Sequence, residues 1–338
     1  MRNTHLHPTR RNLIARLTAT LAFALGTGLT GLPTQALAAD FPERPIKLIS
    51  PYAPGGIADP VGRALAEGMA QDLGQSLVVE NKPGAGTMIG AAVAANAPPN
   101  GYTLPIATNV LVLNPLLYKK MPYAANDLRV IAVVAEAPLV VAVSNKTPAK
   151  TMKEFAAYAK TVKQNLNYAS VGRGNTLHLA TELFKTSGGF DLQEIMYAGK
   201  SGEALMSVLT GEVDLFITVA AQATPQIQAD KLRALAVTTR ERLKALPDVP
   251  TTTEAGFPEV LGATWYGVAV HTSTPEPIVE RLRASIDKVM KQEAFRAQFN
   301  TLGLVVQEPR SIAEITRFTN DERARSEPII RKFDIRLD

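Results

Sequence analysis

The 338-residue sequence contains no cysteine and only four histidines. The absence of cysteine excludes a disulfide framework, a thiolate zinc site, an iron–sulfur cluster and a cysteine nucleophile. Two of the histidines, His5 and His7, fall in a segment that we interpret as a leader, which leaves His178 and His271. Two histidines far apart in sequence do not make a metal site of the usual ligand types. We therefore expect no metal and no cofactor.

Long tracts of low complexity are also missing, and hydrophobic residues make up 46% of the chain against 20% for charged residues. This composition excludes intrinsic disorder as the main state of the chain. A chain of this length can bury roughly three quarters of its unfolded surface. The length itself predicts two domains rather than one.

Residues 1–38 have the pattern of an export signal. Arginines precede an apolar run at 17–32, and the run is followed by the small-residue sequence Ala36-Leu37-Ala38. The apolar run is shorter than the roughly 20 residues that a membrane span needs. We predict cleavage after Ala38 and a location in the periplasm. The adjacent Arg10 and Arg11 leave both the Sec and the twin-arginine export routes open.

Removal of this leader changes the charge of the protein. Lys plus Arg falls from 36 to 32 against 31 Asp plus Glu, so the net charge falls from +5 to +1. No basic cluster with interleaved aromatic residues is left in the mature part of the chain. Nucleic acid is therefore not an expected partner.

Strand and helix patterns alternate along the mature chain, which predicts an α/β fold. The first apolar strand leads into a glycine turn and then into Asp59-Pro60, a sequence typical of a helix N-cap followed by proline at the first helical position. The same alternation restarts after Val143. We predict two lobes joined by two crossing strands, near Val140 and Val268, with a ligand cleft between the lobes. Lobe I comprises 39–143 and 267–338, and lobe II comprises 144–266.

Two glycine turns precede predicted helices, one in each lobe. Free N–H groups and the helix dipole attract anions at such positions, and glycine lets a ligand approach the backbone. The first turn contains Gly55 and Gly56, and the second contains Gly172 and Gly174. Each is equally consistent with a simple tight turn, and His178 after the second turn is also consistent with a structural hydrogen-bond donor. The pair of turns suits a ligand that carries carboxylates.

The common enzyme motifs are incomplete in this sequence. The glycine spacing breaks the dinucleotide-binding pattern, the sequence Gly199-Lys200-Ser201 lacks the earlier glycine of a phosphate-binding loop, and no G-x-S-x-G sequence is present. Spacing does not exclude an acid–base pair such as Asp59 and His178.

Several segments follow one another in a recognisable order: RPIKLISPYAPGGIAD, LGQSLVVENKPGAGTMIG, GYTL, NPLLY, NYASVGRGNTLHLATELFK, LPDVPTTTEAGFPE and TWYGVAV. This set resembles the Bug family, the extracytoplasmic solute receptors of tripartite tricarboxylate transporters. The resemblance covers nearly the whole mature chain. It implies a non-enzymatic, two-lobed periplasmic binding protein that captures a small organic carboxylate and delivers it to integral-membrane permease subunits. We expect a monomer.

The same resemblance implies a set of ligand-binding residues. They lie in the first turn (Ala53, Pro54, Gly55, Gly56, Asp59), after a strand of lobe I (Thr108, Asn109), in the second turn (Ser170, Gly172, Gly174, Asn175, His178) and elsewhere in lobe II (Tyr197, Asp214). The chain departs from the family pattern at Ala198, where a basic residue is frequent, and Lys200 is a candidate substitute. Two other functions stay open: an exported α/β enzyme acting on a carboxylate, and a ligand-sensing accessory protein for a membrane signalling kinase.

Overall fold

The computed structural model describes residues 41–54, 57–162, 166–197 and 200–337. The predicted leader, its cleavage point after Ala38, and the two glycines Gly55 and Gly56 lie outside these ranges. Within the described part of the chain, no helix combines the length and the apolar composition that a membrane span requires.

Strands and helices alternate over most of the chain, as predicted. The strands are β1 (Ile46–Ser50), β2 (Leu77–Asn81), β3 (Thr103–Thr108), β4 (Leu128–Val143), β5 (Asn167–Ser170), β6 (Gln193–Met196), β7 (Leu215–Val219), β8 (Arg233–Val237), β9 (Ala263–His271) and β10 (Val305–Val306). The α-helices are α1 (Ala58–Leu73), α2 (Met88–Ala95), α3 (Asn109–Leu117), α4 (Met152–Thr161), α5 (Thr176–Gly188), α6 (Ser201–Thr210), α7 (Ala220–Gln228), α8 (Glu276–Met290), α9 (Glu293–Thr301) and α10 (Ile312–Lys332).

The sheet runs in the order β2-β1-β3-β9-β4-β7-β5-β6, and β8 and β10 also pair with β4. The outer strands are parallel: β1 pairs with β2 and β3, and β5 pairs with β6 and β7. The central strands β4 and β9 are antiparallel to each other and to their neighbours. The fold is therefore a mixed α/β fold, with a parallel group of strands on each side of an antiparallel centre.

Strand β4 belongs to both sides of this sheet. Its first part pairs with β9, from Leu128 opposite His271 to Pro138 opposite Ala263. Its last five residues, from Leu139 onward, pair instead with β7, and the last four of them also pair with β8. The strands predicted to cross near Val140 and Val268 are thus β4 and β9. We call β1, β2, β3, β9, β10 and the first part of β4 the first strand group, and the remaining strands with the end of β4 the second strand group.

Separate apolar cores support the two groups. In the second group, Phe184 packs edge-on against Phe190 and Phe257 with ring centroids 5.0 and 5.1 Å away. In the first group, Trp265 is 1% exposed and lies 5.8 Å from the Phe318 ring of α10. Burial of such rings is the main source of stability in cores of this type.

A further apolar cluster connects helices that belong to the two strand groups. It contains Leu113 and Leu117 of α3, Leu179 of α5 and Ile330 of α10. Helix α10 accordingly packs against both α3 and α5. The start of α5 is therefore held against elements of the first strand group.

The predicted helix start at Asp59 is wrong. Helix α1 begins at Ala58, and its N-cap is Ile57, which has helical dihedral angles and no side chain to cap with. Because the chain is already helical at Ile57, Asp59 lies inside the first turn and faces Arg63 one turn later. Ser311 and Glu314 form a capping box at the start of α10, a pattern that can be recognised in the sequence.

Candidate functional site

The carboxyl ends of β1 and β3 meet at one edge of the first strand group. Tyr52, which follows β1, places its hydroxyl 2.8 Å from Oγ1 of Thr108 at the end of β3. The carbonyl of Tyr52 accepts a hydrogen bond of 3.0 Å from Nδ2 of Asn81, at the end of β2. The three strand ends are thus connected by hydrogen bonds that involve Tyr52. The described residues of the first glycine turn, Ala53 and Pro54, are exposed.

Asp59 lies beside this turn with its charge compensated. Its carboxylate accepts hydrogen bonds of 3.0 and 3.1 Å from the guanidinium of Arg63. Nδ2 of Asn81 also donates to Asp59, at 3.3 Å. A carboxylate neutralised in this way does not repel an anionic ligand as a free one would.

Asn109 follows Thr108 but is 1% exposed, and its amide binds other parts of the protein. Its Nδ2 donates to Oε1 of Glu322 at 2.8 Å and to the carbonyl of Ala263 at 3.3 Å. Its Oδ1 accepts the backbone N–H of Trp265 at 2.9 Å. The amide therefore joins α3, α10 and the crossing strand β9, and both of its N–H donors are already used.

The second glycine turn connects β5 to α5 and is held by Asn175. The Oδ1 of Asn175 accepts the N–H of His178 at 3.0 Å, which makes Asn175 the N-cap of α5. Its Nδ2 donates to the carbonyl of Gly172 at 2.8 Å. Gly172 and Gly174 have φ angles of 148° and 78°, which only glycine adopts without strain.

Two N–H groups of this turn point inward. That of Gly172 donates to Oγ of Ser170 at 3.3 Å, and that of Gly174 donates to Nδ1 of His178 at 3.4 Å. The backbone N–H groups of Asn175, Thr176 and Leu177 have no acceptor within the described ranges. These three donors at the positive end of α5 are suited to hold an anion.

The buried side chain of His178 stabilises the second glycine turn by accepting the hydrogen bond from Gly174. Its side chain is 6% exposed, and burial lowers its pKa, so the ring is neutral and its Nδ1 can accept from Gly174. Its Nε2 lies 3.9 Å from Oε1 of Glu182. That carboxylate also accepts hydrogen bonds from Tyr168 at 3.2 Å and from Lys185 at 2.9 Å. His178 is thus part of a buried polar network and is not placed against Asp59 by any hydrogen bond.

Comparison with known proteins decides the family. The family model described as "Tripartite tricarboxylate transporter family receptor" matches residues 61–335. The chain belongs to this receptor family.

Three solved structures illustrate the likeness. The periplasmic binding protein BugD is 30% identical, with a TM-score of 0.76 and coverage of 88% of this chain and 100% of that one. The Rhodopseudomonas palustris protein Rpa4515, solved with adipate, is 31% identical, with a TM-score of 0.78 and coverage of 86% and 98%. MatC from the same organism, with bound malate, is 30% identical, with a TM-score of 0.76 and coverage of 86% and 100%. The resemblance to the Bug family is thereby confirmed, as is the periplasmic binding protein fold.

In this member of the receptor family, the cation of the second turn is already paired. Nε and Nη2 of Arg173 lie 2.8 and 2.7 Å from Oε2 of Glu194 in β6. The ion pair raises the pKa of Arg173 further. Lys200 likewise pairs with Glu203, at 3.1 Å. The charges beside the turn are therefore balanced by the protein itself.

Tyr197 and Asp214 occupy different ends of the second strand group. The N–H of Tyr197 donates to the carbonyl of Ser170 at 2.7 Å, next to the glycine turn, and its ring borders a groove of about 540 Å³ along α6. Asp214 precedes β7 and accepts the N–H of Asn167 at 2.8 Å, at the opposite end of β5. Burial raises its pKa. The structure thus brings Tyr197 to the turn and leaves Asp214 away from it.

Some polar residues at the same edge were missed by the sequence analysis. Thr218, at the end of β7, donates to Gln222 at 3.3 Å, and Gln222 reaches Ser201 at 3.4 Å. Tyr52 and the buried Glu322 were also missed. The strand-to-helix position of Thr218 was a usable signal, because it repeats that of Thr108 and Ser170. No local pattern marks Glu322, whose partner is 213 residues away.

Proposed function

We propose that this chain is a periplasmic receptor that binds a small organic carboxylate and delivers it to the integral-membrane subunits of a tripartite tricarboxylate-type transporter. The observation that carries the proposal is the set of three free N–H groups at the start of α5, from Asn175 to Leu177. The adipate and malate in the two related structures support the ligand class.

The ligand is held between two lobes with the boundaries predicted from sequence: 39–143 and 267–338 for lobe I, and 144–266 for lobe II. The lobes move about the crossing strands, where Pro138 pairs with Ala263. Closure is driven by the ligand, because only the closed state lets both lobes contact it.

The predicted site residues divide into two roles. Residues of the two turns line the cleft, together with Thr108 and Tyr197. Asn109, Asn175 and His178 hold the backbone in place through the hydrogen bonds described above. Asp214 stabilises the far end of β5 and does not contact the ligand.

Binding without turnover suits these residues better than catalysis. A general base must reach the proton that it removes. His178 is buried, neutral and bonded to Gly174, and Asp59 is paired with Arg63. The exported enzyme and the sensory accessory protein are the alternatives. Turnover of a bound carboxylate supports the former, and capture of a membrane kinase instead of permease subunits supports the latter.

The deciding experiment is thermal unfolding of the mature chain, from residue 39, against a panel of mono-, di- and tricarboxylates that includes adipate and malate. A ligand present at about 100 times its Kd stabilises the native state by roughly 2.7 kcal/mol, which raises Tm by several degrees. The carboxamide of each ligand is the control, since it keeps the shape and removes the charge. An equal shift with carboxylate and carboxamide, or no shift with any carboxylate, contradicts the proposal.

A further inference from the structure

Thr108 lies between two tyrosine side chains. It is paired with Tyr266 across the antiparallel ladder of β3 and β9. Side chains of paired residues lie on the same face of the sheet, with Cβ atoms roughly 5 Å apart. Oγ1 of Thr108 also meets the hydroxyl of Tyr52 at 2.8 Å. Tyr266 therefore lies on the same face of the sheet as Thr108, close enough to Tyr52 for an electrostatic effect between the two hydroxyls.

Tyr266 is 6% exposed as a residue, but its hydroxyl oxygen is not among the fully buried atoms that lack a partner. The hydroxyl therefore keeps contact with solvent, and it makes no hydrogen bond with any residue in the described ranges. A hydroxyl that reaches solvent and is not used by the described part of the protein can donate to a bound carboxylate. Burial raises the pKa of Tyr266 and raises that of Tyr52 to about 12. Both hydroxyls are thus protonated donors at neutral pH.

The other buried tyrosines of the described chain differ in this respect. The hydroxyl of Tyr168 donates to Glu182 at 3.2 Å, and the hydroxyl of Tyr123 accepts from Asn114 at 3.3 Å. Both of these hydroxyls have a hydrogen-bond partner within the protein. Tyr266 differs because its hydroxyl has no partner in the described ranges and reaches solvent from a crossing strand.

We propose that the Tyr266 hydroxyl is a ligand-binding group, which donates a hydrogen bond to a carboxylate oxygen at the floor of the cleft. This inference rests on the proposed function and adds a contact that the glycine turns do not supply. Tyr52, whose hydroxyl is held by Thr108, lies beside Tyr266 in the cleft. Because β9 pairs with β4 at the crossing point, Tyr266 offers its donor from between the lobes. The contact is therefore available before the lobes close.

The chemistry of the site defines the class of ligand. Its cations are paired, Arg63 with Asp59 and Arg173 with Glu194, so the ligand meets N–H and O–H donors. A carboxylate accepts from several such donors at once. A carboxamide presents an NH₂ group to a donor in place of one oxygen. The site therefore favours the carboxylate over its amide, and this preference does not require an ion pair between the ligand and an arginine.

The test is isothermal titration of the mature chain and of Tyr266→Phe with the carboxylates that stabilise the wild type, beginning with adipate and malate. The substitution removes one oxygen and leaves the ring in place. We expect affinity to fall about tenfold or more, as for loss of a hydrogen bond to a charged group. The Tm of the ligand-free protein stays unchanged or rises, because the hydroxyl has no protein partner.

Tyr123→Phe is the matched control, because it removes a buried hydroxyl that has a protein partner outside the cleft. It lowers the Tm of the ligand-free protein and leaves the affinity unchanged. Equal affinity of Tyr266→Phe and wild type overturns this inference and leaves the receptor function intact. A wild-type chain that binds no carboxylate of the panel overturns the proposed function, and this inference with it.

Discussion

The side-chain amide of Asn109 donates to Oε1 of Glu322 at 2.8 Å and thereby fixes the start of α3 to the C-terminal helix. The same amide binds the backbone of β9 at Ala263 and at Trp265. One side chain thus joins a loop-bearing helix, a crossing strand and α10. The family resemblance places this asparagine at the ligand, and the hydrogen bonds described for its side chain are made to other parts of the protein.

Asn109→Ala lowers the free energy of unfolding by roughly 1–3 kcal/mol. The variant leaves the buried Glu322 without the amide donor and the N–H of Trp265 without its acceptor. Chemical denaturation at neutral pH measures the change. Asn96→Ala is the control, because the Asn96 side chain is exposed and makes one bond, to the carbonyl of Ala92; it stays within about 0.5 kcal/mol of wild type. Similar losses of stability in both variants contradict this structural role of Asn109.

Glu322 makes stability depend on pH. Burial raises the pKa of Glu322, and the nearby Glu136 raises it slightly further. The hydrogen bond from Asn109 and the charge of Arg325 lower this pKa, but by less than burial raises it. For a raised pKa, the stabilising contribution is complete below the unfolded value, 4.5, and is lost as pH rises through the folded value. Glu322→Gln stays neutral, so its stability relative to wild type increases from pH 4 to pH 8.

Denaturation curves at several pH values across that range measure the trend for Glu322→Gln. The exposed ion pair of Glu327 with Arg331, in the same helix, supplies the control Glu327→Gln, which shows no such increase. A constant difference between Glu322→Gln and wild type at all pH values contradicts the assignment.

Asp72 connects the end of α1 to α8. Hydrogen bonds from Lys288, at 2.7 Å, and from Arg281, at 2.9 Å, lower its pKa from 3.8 to about 2. The resulting stabilisation is present above pH 3.8 and is lost as pH falls toward 2. Asp72→Asn therefore costs about 1–2 kcal/mol at pH 7, after allowance for solvent screening of the exposed Lys288. The difference from wild type closes near pH 2, and high salt reduces it at pH 7.

Gly174→Ala is expected to lower both stability and ligand affinity. The φ angle of Gly174 is +78°, and an added Cβ would lie 2.7 Å from the side chain of Leu117. The conformation alone costs roughly 1–2 kcal/mol. Gly202→Ala, in the first turn of α6, meets nothing within 4 Å and is neutral or slightly stabilising. Thermal unfolding and carboxylate titration of the two variants provide the comparison.

Local patterns in the sequence were sufficient for the alternation of strands and helices and for the second glycine turn. Apolar periodicity locates the cores of elements such as β4 and α5, and the cap residues mark α10. The errors have local causes as well. Asp59 has the composition of a cap, but the backbone at Ile57 is already helical. Helix α3 was missed because its apolar residues surround it on nearly all sides and Pro115 lies within it.

Contacts between distant residues were not predictable in this way. The pairing of Thr108 with Tyr266 depends on the register of two strands that are far apart in sequence. The bond from Asn109 to Glu322 spans 213 residues. Such contacts arise from tertiary packing, and no periodicity or cap signal encodes them. The sequence therefore predicts helices and strands better than it predicts the side-chain contacts that connect them.

Trp265 is the sole tryptophan of the chain, and it is buried in β9 directly before Tyr266. Its intrinsic fluorescence therefore originates from the crossing strand alone. A rotation of the lobes that alters the packing of Trp265 against Phe318 changes its emission, without an attached dye or an engineered label. The emission of Trp265 therefore reports on the surroundings of this crossing strand.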